Sequence, residues 1–148
     1  MMRFKESTGR PVVSLANAES IGRISRFVID VPTHRVSAVQ LDKTKDKHQQ
    51  FLTWETISAF GEDAITVADI SKIVEGDEAQ KLGADKHHQV IGKRALSTFG
   101  DELGTITDVE FDPETGLLQS ILYDSGEARG DHLKGIGSYA VILGVEAN

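Results

Sequence analysis

Carboxylates crowd one short stretch, Asp108-Val109-Glu110-Phe111-Asp112-Pro113-Glu114, and their alternate spacing invites comparison with a calcium-binding loop. Such a loop needs glycine at its sixth position and a bidentate carboxylate at its twelfth, but counted from Asp108 those places hold Pro113 and Gln119. Acidic residues at every second position are instead what the solvent side of a β-strand carries, with Val109 and Phe111 facing inward. The five histidines, His34, His48, His87, His88 and His132, have no metal-ligand spacing, and neighbouring His87 and His88 would point to opposite sides of a strand. Serine, histidine and aspartate are all present, yet no Gly-x-Ser-x-Gly or comparable nucleophile context is. Gly100, Gly104 and Gly116 are too widely spaced to open a helix around a phosphate. The chain has no cysteine, which removes disulfides, thiolate catalysis and cysteine zinc sites together. The expectation is therefore no catalytic residue, no metal and no cofactor, and a protein that is not an enzyme.

Charge is more informative. Residues 1–68 carry nine Lys/Arg against eight Asp/Glu, and residues 69–148 carry seven against fifteen, which accounts for the net charge of −7. Arg23 and Arg26 on one side and Asp108 and Glu110 on the other are the candidate interaction residues, and the expectation is that the basic strand faces the acidic one, within one chain or across a homodimer. An overall negative charge argues against broad nucleic-acid binding, although a local patch of Arg23, Arg26, Lys43, Lys45 and Lys47 could hold RNA.

The elements that must position these residues occur twice. Gly22-Arg-Ile24-Ser-Arg-Phe27-Val-Ile29-Asp30 lies over Gly104-Thr-Ile106-Thr-Asp-Val109-Glu-Phe111-Asp112 at a shift of 82, which also sets Val36, Val39 and Leu41 over Leu118, Ile121 and Tyr123. Upstream, Gly9 to Ser14 matches Gly92 to Ser97 at a shift of 83; downstream, Gly61 to Val67 matches Gly137 to Leu143 at a shift of 76. The shift changes in the loops while the elements persist, as a duplication requires. Each copy reads as strands, with β-branched and aromatic runs bounded by glycine. Ile106 falls out of phase with Val109 and Phe111, which predicts a bulge near Thr107 or a strand buried on both faces.

Asp112-Pro113-Glu114-Thr115-Gly116 is a hairpin loop by its turn chemistry, and its counterpart Asp30-Val31-Pro32-Thr33-His34 predicts a positive φ at His34, where the second copy has glycine. Trp54 to Ile57 reads as a short helical turn capped by Thr53, with Trp54 and Ile57 facing the core. The span 69–91 loses the strand pattern and reads as a polar linker with weak helical character. The division expected is 1–68, a linker 69–91, and 92–148, an all-β pair of small barrels from an internal duplication, packed together or related by a pseudo-twofold. At this length the core has to be shared if two such small units are to be stable.

A short first strand, a glycine step, a long strand ending in Asp-Pro-Glu-Thr-Gly, its return strand and a terminal Gly-x-x-Ala-aliphatic element resemble the PRC-barrel. The resemblance covers Gly9 to Val67 and Gly92 to Leu143, and is strongest from Gly92 to Tyr123. It is similar to the cytoplasmic part of the photosynthetic reaction-centre H subunit and to the C-terminal part of the ribosome-maturation factor. The resemblance implies a small closed six-stranded barrel per copy, acting as an adaptor for protein partners or ribonucleoprotein, with no catalytic residues to carry over. No run approaches the ~18 apolar residues of a membrane span, and the first six residues lack the apolar stretch of a secretory signal, so a cytoplasmic setting is expected. The favoured expectation is a protein-interaction module; RNA or ribosome association is the alternative. A ligand-binding barrel is a weaker third, since a barrel this small fills with its own side chains.

Overall fold

The computed structural model describes residues 1–144; the last four residues of the span assigned to the second copy, 145–148, lie outside the described residues. An arm formed by β1 (Met2–Arg3) and α1 (Phe4–Ser7) leads into the first copy, which contains β2 (Pro11–Ser14), β3 (Ser20–Asp30), β4 (Arg35–Asp42), β5 (Phe51–Thr53), β6 (Ile57–Phe60) and β7 (Ile65–Val67). A connecting segment with α2 (Glu78–Ala84) leads into the second, which contains β8 (Arg94–Ser97), β9 (Glu102–Phe111), β10 (Leu118–Tyr123), β11 (Gly126–Arg129), β12 (Leu133–Ile136) and β13 (Val141–Leu143).

Strand order is β5-β4-β3-β2-β7-β6 in one sheet and β11-β10-β9-β8-β13-β12 in the other, so the two copies share one topology. The parallel pairs β2–β7 and β8–β13 sit at the same place in each. Backbone bonds match as well: Gly9 N–H donates to the Ile24 carbonyl at 2.7 Å and Gly92 N–H to that of Ile106 at 2.8 Å, both glycines having φ near +85°. The turn that closes on Gly61 from Ala64 repeats as Gly137 and Ala140, each at 3.0 Å.

The long strands carry the expected irregularity in both copies. Ile106 pairs with Tyr123 and Asp108 with Leu122, leaving Thr107 as an extra residue; Ser25 is skipped in the same way between Ile24 and Arg26. The bulge returns Ile106 to the buried face with Val109 and Phe111 and leaves Thr107 exposed. His34 has φ +54° and Gly116 +78°, the left-handed turn that the aligned loops predicted.

Three expectations are corrected. The ladders do not close into barrels: β5 and β6, and β11 and β12, form the two ends of their sheets and are joined by 3₁₀ turns at Trp54–Thr56 and Gly130–His132 without pairing to each other. Thr53 stands at the cap position, but its side chain accepts no capping bond; the Thr56 hydroxyl donates to the Thr53 carbonyl instead, at 2.8 Å. The polar connecting segment also has more order than its composition suggested. Asp77 accepts from the Gln80 N–H at 2.7 Å while the Gln80 side chain accepts from the Asp77 N–H at 2.9 Å, a capping box that fixes the start of α2. Small residues then let the helix lie close on the first sheet, with Ala84 buried against Val28, Ala38 and Phe51.

The copies share one core. A single buried cluster runs from Phe4, Val12 and Phe27 through to Ile106, Phe111 and Leu133. Phe111 lies 5.6 Å from the Phe4 ring, 5.5 Å from Phe27, 5.3 Å from Phe60 and 6.2 Å from Trp54, and Phe4 stacks on Phe27 at 4.1 Å. The hairpins meet through a reciprocal exchange: Val36 N–H donates to the Gly116 carbonyl and Leu118 N–H to the His34 carbonyl, both at 2.9 Å. Because 116 and 118 are the counterparts of 34 and 36, this contact is a pseudo-twofold axis.

A shared core predicts shared unfolding. Phe111→Ala should cost about 3–5 kcal/mol, and the protein should still melt in one transition, with Trp54 fluorescence and far-ultraviolet circular dichroism coinciding. Two resolved transitions would show that the copies are separate units.

Candidate interaction surface

The four charged residues singled out from sequence do not assemble into one site. Arg23 donates to the Gly9 carbonyl at 2.9 Å, within its own copy. Arg26 donates to the Ala84 carbonyl at 3.0 Å, and the Asp108 carboxylate accepts from the Lys5 N–H at 3.2 Å and the Val109 N–H at 2.8 Å. Glu110 does meet a cation of the first copy, but it is Arg3 of the arm, at 3.1 Å. The Arg26–Asp108 pairing within one chain is thus replaced by two separate contacts.

Those two contacts explain the opposite charges at matched positions. The arm ahead of the first copy crosses to the second, where β1 pairs with β9 in the register Met2↔Phe111 and Arg3↔Glu110. The segment ahead of the second copy crosses the other way and lies on β3. Asp108 therefore receives an N–H from the first turn of a helix and Arg26 a carbonyl from the last residue of one. Negative charge at a helix start and positive charge at a helix end are each what the unsatisfied backbone groups there favour. Next to Ala84, the Asp85 carboxyl is held below the usual range chiefly by the His87 N–H that bonds to it.

The outer face of β8, β13 and β12 is the surface left without such a structural task. Leu96 and Ile142 are half-buried there, and together with Gly135 and Ala140 they line a shallow apolar basin rimmed by Tyr139, while Ile136, opposite Val141, packs inward against the core at its edge. Tyr139 is 69% exposed, large for a ring of that size. It is also held in place: Arg94 donates to its hydroxyl at 2.8 Å, the guanidinium carbon lies 4.9 Å from the ring centroid, and Glu102 sits 3.4 Å from the Arg94 Nε. The first copy presents Val13, Thr66 and Asp63 where the second has Leu96, Ile142 and Tyr139. Sequence reasoning passed over this face. The available signal was the loss of alternation in Val141-Ile142-Leu143, whose counterpart Ile65-Thr66-Val67 keeps a polar residue outward.

Among the described residues no group of three acidic, histidine or cysteine side chains could hold a metal ion, and no helix is long and apolar enough to cross a membrane. Two six-stranded repeats about a pseudo-twofold, joined by one core, place the chain among the small duplicated all-β proteins. The family model of the PRC-barrel domain matches residues 1–74 and 83–140, and the chain belongs to the PRC-barrel family. A search of curated proteins finds no match.

If Arg26 and Asp108 hold separate arms, their losses should add. Arg26→Ala and Asp108→Ala should each cost about 0.5–2 kcal/mol, and the double variant should equal their sum to within about 0.5 kcal/mol. Denaturant titrations of the three variants check this, and a larger coupling would put the two side chains back in contact.

Proposed function

We propose that the protein is a non-enzymatic adaptor whose second copy holds a protein partner on the outer face of β8, β13 and β12. The observation that carries this reading is the rigid, exposed Tyr139 beside Arg94 over an apolar basin, present in the second copy, whereas the first has Asp63, Pro11 and Thr66 at the places of Tyr139, Arg94 and Ile142. Tyrosine and arginine are the residue types over-represented where binding energy concentrates, and a ring already fixed in the free protein loses little freedom on binding. Arg94 and Lys93, which bonds the Ser138 carbonyl, stand beside the basin with Glu102, so a partner with an apolar centre and an acidic rim fits the charges there. A cytoplasmic setting belongs to the same reading, in keeping with a chain that has no cysteine.

RNA association has less to stand on. Arg23 and Arg26 already serve main-chain carbonyls, and Lys81, which lines a basin with Arg26, Lys47 and Lys86, is paired with Glu75 at 3.4 Å.

Capture from the native cell by the wild-type chain, compared with Tyr139→Ala and with the matched first-copy change Asp63→Ala, tests the proposal. Tyr139→Ala should weaken partner binding at least about tenfold, as loss of a central anchor does, while Asp63→Ala leaves it unchanged. A partner retained equally by both variants would remove this face from consideration, and a partner released by ribonuclease would favour the RNA reading.

A further inference from the structure

The two copies treat one sheet edge differently. In the first, the outer edge of β5 is covered: Phe51 donates its N–H to the Val74 carbonyl at 2.9 Å and accepts from the Val74 N–H at 2.8 Å. Both backbone groups of Phe51 point away from β4, so the Gln40↔Phe51 position in that ladder is a non-hydrogen-bonded pair. The counterpart of Phe51 is Glu127 on β11, which sits opposite Leu122. By the same alternation both backbone groups of Glu127 point outward, as does the N–H of Arg129 two residues on, whose C=O accepts the first bond of the 3₁₀ turn Gly130–His132 and has one lone pair left to offer, while those of Ala128 face Ile121 on β10. Among the described residues no other strand pairs with that edge. An unpaired row of donors and acceptors is a template for another strand.

The sequence of the edge says which strand. Gly126-Glu127-Ala128-Arg129-Gly130 is its own complement about Ala128. Laid antiparallel against a second copy with Ala128 opposite Ala128, the edge sets Glu127 of each chain opposite Arg129 of the other. The outward backbone groups fall in the same register, because each Glu127–Arg129 pair then exchanges two N–H···O=C bonds. Glu127 and Arg129 are both exposed while Ala128 between them is buried, so the opposed charges share one outer face. Arg129 now lies 2.9 Å from Asp131, an exposed ion pair of little worth that it can exchange for a cross-strand one.

We propose that β11 is a self-docking edge through which two copies of this chain join their second-copy sheets, in a register centred on Ala128 and held by reciprocal Glu127–Arg129 pairs. The proposal goes beyond the adaptor reading and does not use the Tyr139 face, so either can fail without the other. A seam of four backbone bonds makes a weak dimer that forms with rising concentration and loosens in salt.

Sedimentation velocity over a concentration series, with the wild-type chain and the variants Glu127→Arg, Arg129→Glu and the double Glu127→Arg/Arg129→Glu, tests it. Each single change places like charges opposite each other twice and should weaken the dimer about tenfold or more. The double change swaps the signs and should restore wild-type association. Glu127→Pro removes an outward N–H without breaking the bonds to β10 and should leave a monomer whose melting temperature is close to wild type. A wild-type chain that stays monomeric throughout, a dimer indifferent to the single changes, or a double variant that fails to recover would each overturn the proposal.

Discussion

Phe111 belongs to the second copy, yet the rings that enclose it, Phe4, Phe27, Trp54 and Phe60, all belong to the first copy or its arm. That enclosure sets the terms for the rest of the chain. A unit of some 60 residues buries too small a share of its surface to be comfortable alone, and here each copy presents an inner face that is apolar only because the other covers it. Once the inner faces meet, the hairpins are brought tip to tip, and the exchange between residues 34–36 and 116–118 follows at little additional cost in chain entropy.

The crossing arms are the second consequence. Each copy is preceded by a segment that lies on the long strand of its neighbour, so the covalent order and the packing order interleave. One position in that strand must satisfy a helix terminus arriving from the other side. In the first copy the arriving terminus offers carbonyls and the position is Arg26; in the second it offers N–H groups and the position is Asp108. Opposite charges at matched sites read from sequence as two surfaces made for each other. They are better explained as one structural role filled twice, with the sign set by which end of a helix arrives.

Local rules were legible in the chain and relational ones were not. The bulge at Thr107 could be read because period two fails visibly between Ile106 and Val109, and the left-handed turn at His34 because a glycine stands at the matched place in the other loop. The repeat itself placed four strands of each copy, β2, β3, β4 and β7 and β8, β9, β10 and β13, but not the end strands β5, β6, β11 and β12. Nothing local announced that β1 would pair with β9, that Glu110 would find Arg3, or that the sheets would stop short of closure at Trp54–Thr56 and Gly130–His132, since these depend on how the copies sit together. Helix α2 lay between the two cases: its Asp77–Gln80 box is written in the sequence, but the polar composition around it hid the signal. The Tyr139 face was missed for a different reason. An apolar residue in a strand reads as interior by default, whereas Leu96 and Ile142 lie only partly covered on the outer face.

That misassignment points to what distinguishes the copies. Exposed positions of a duplicated fold are free to drift, because most surface substitutions change stability by no more than ~0.5 kcal/mol, and drift toward polar residues is what the first copy shows at Asp63 and Thr66. The second copy has gone the other way and gathers Leu96, Ile142 and a bonded Tyr139 on one side of a sheet. Such a face works against solubility and adds little to the shared core, so neither folding nor drift accounts for it. The interior and the seam are common property of both copies; the outward apolar basin and the self-complementary edge at Ala128 belong to the second alone. In this chain the first copy has its β5 edge covered at Phe51 and Asp63 and Thr66 on its outer face, while the second leaves the β11 edge without a partner strand among the described residues and sets Leu96, Ile142 and Tyr139 outward.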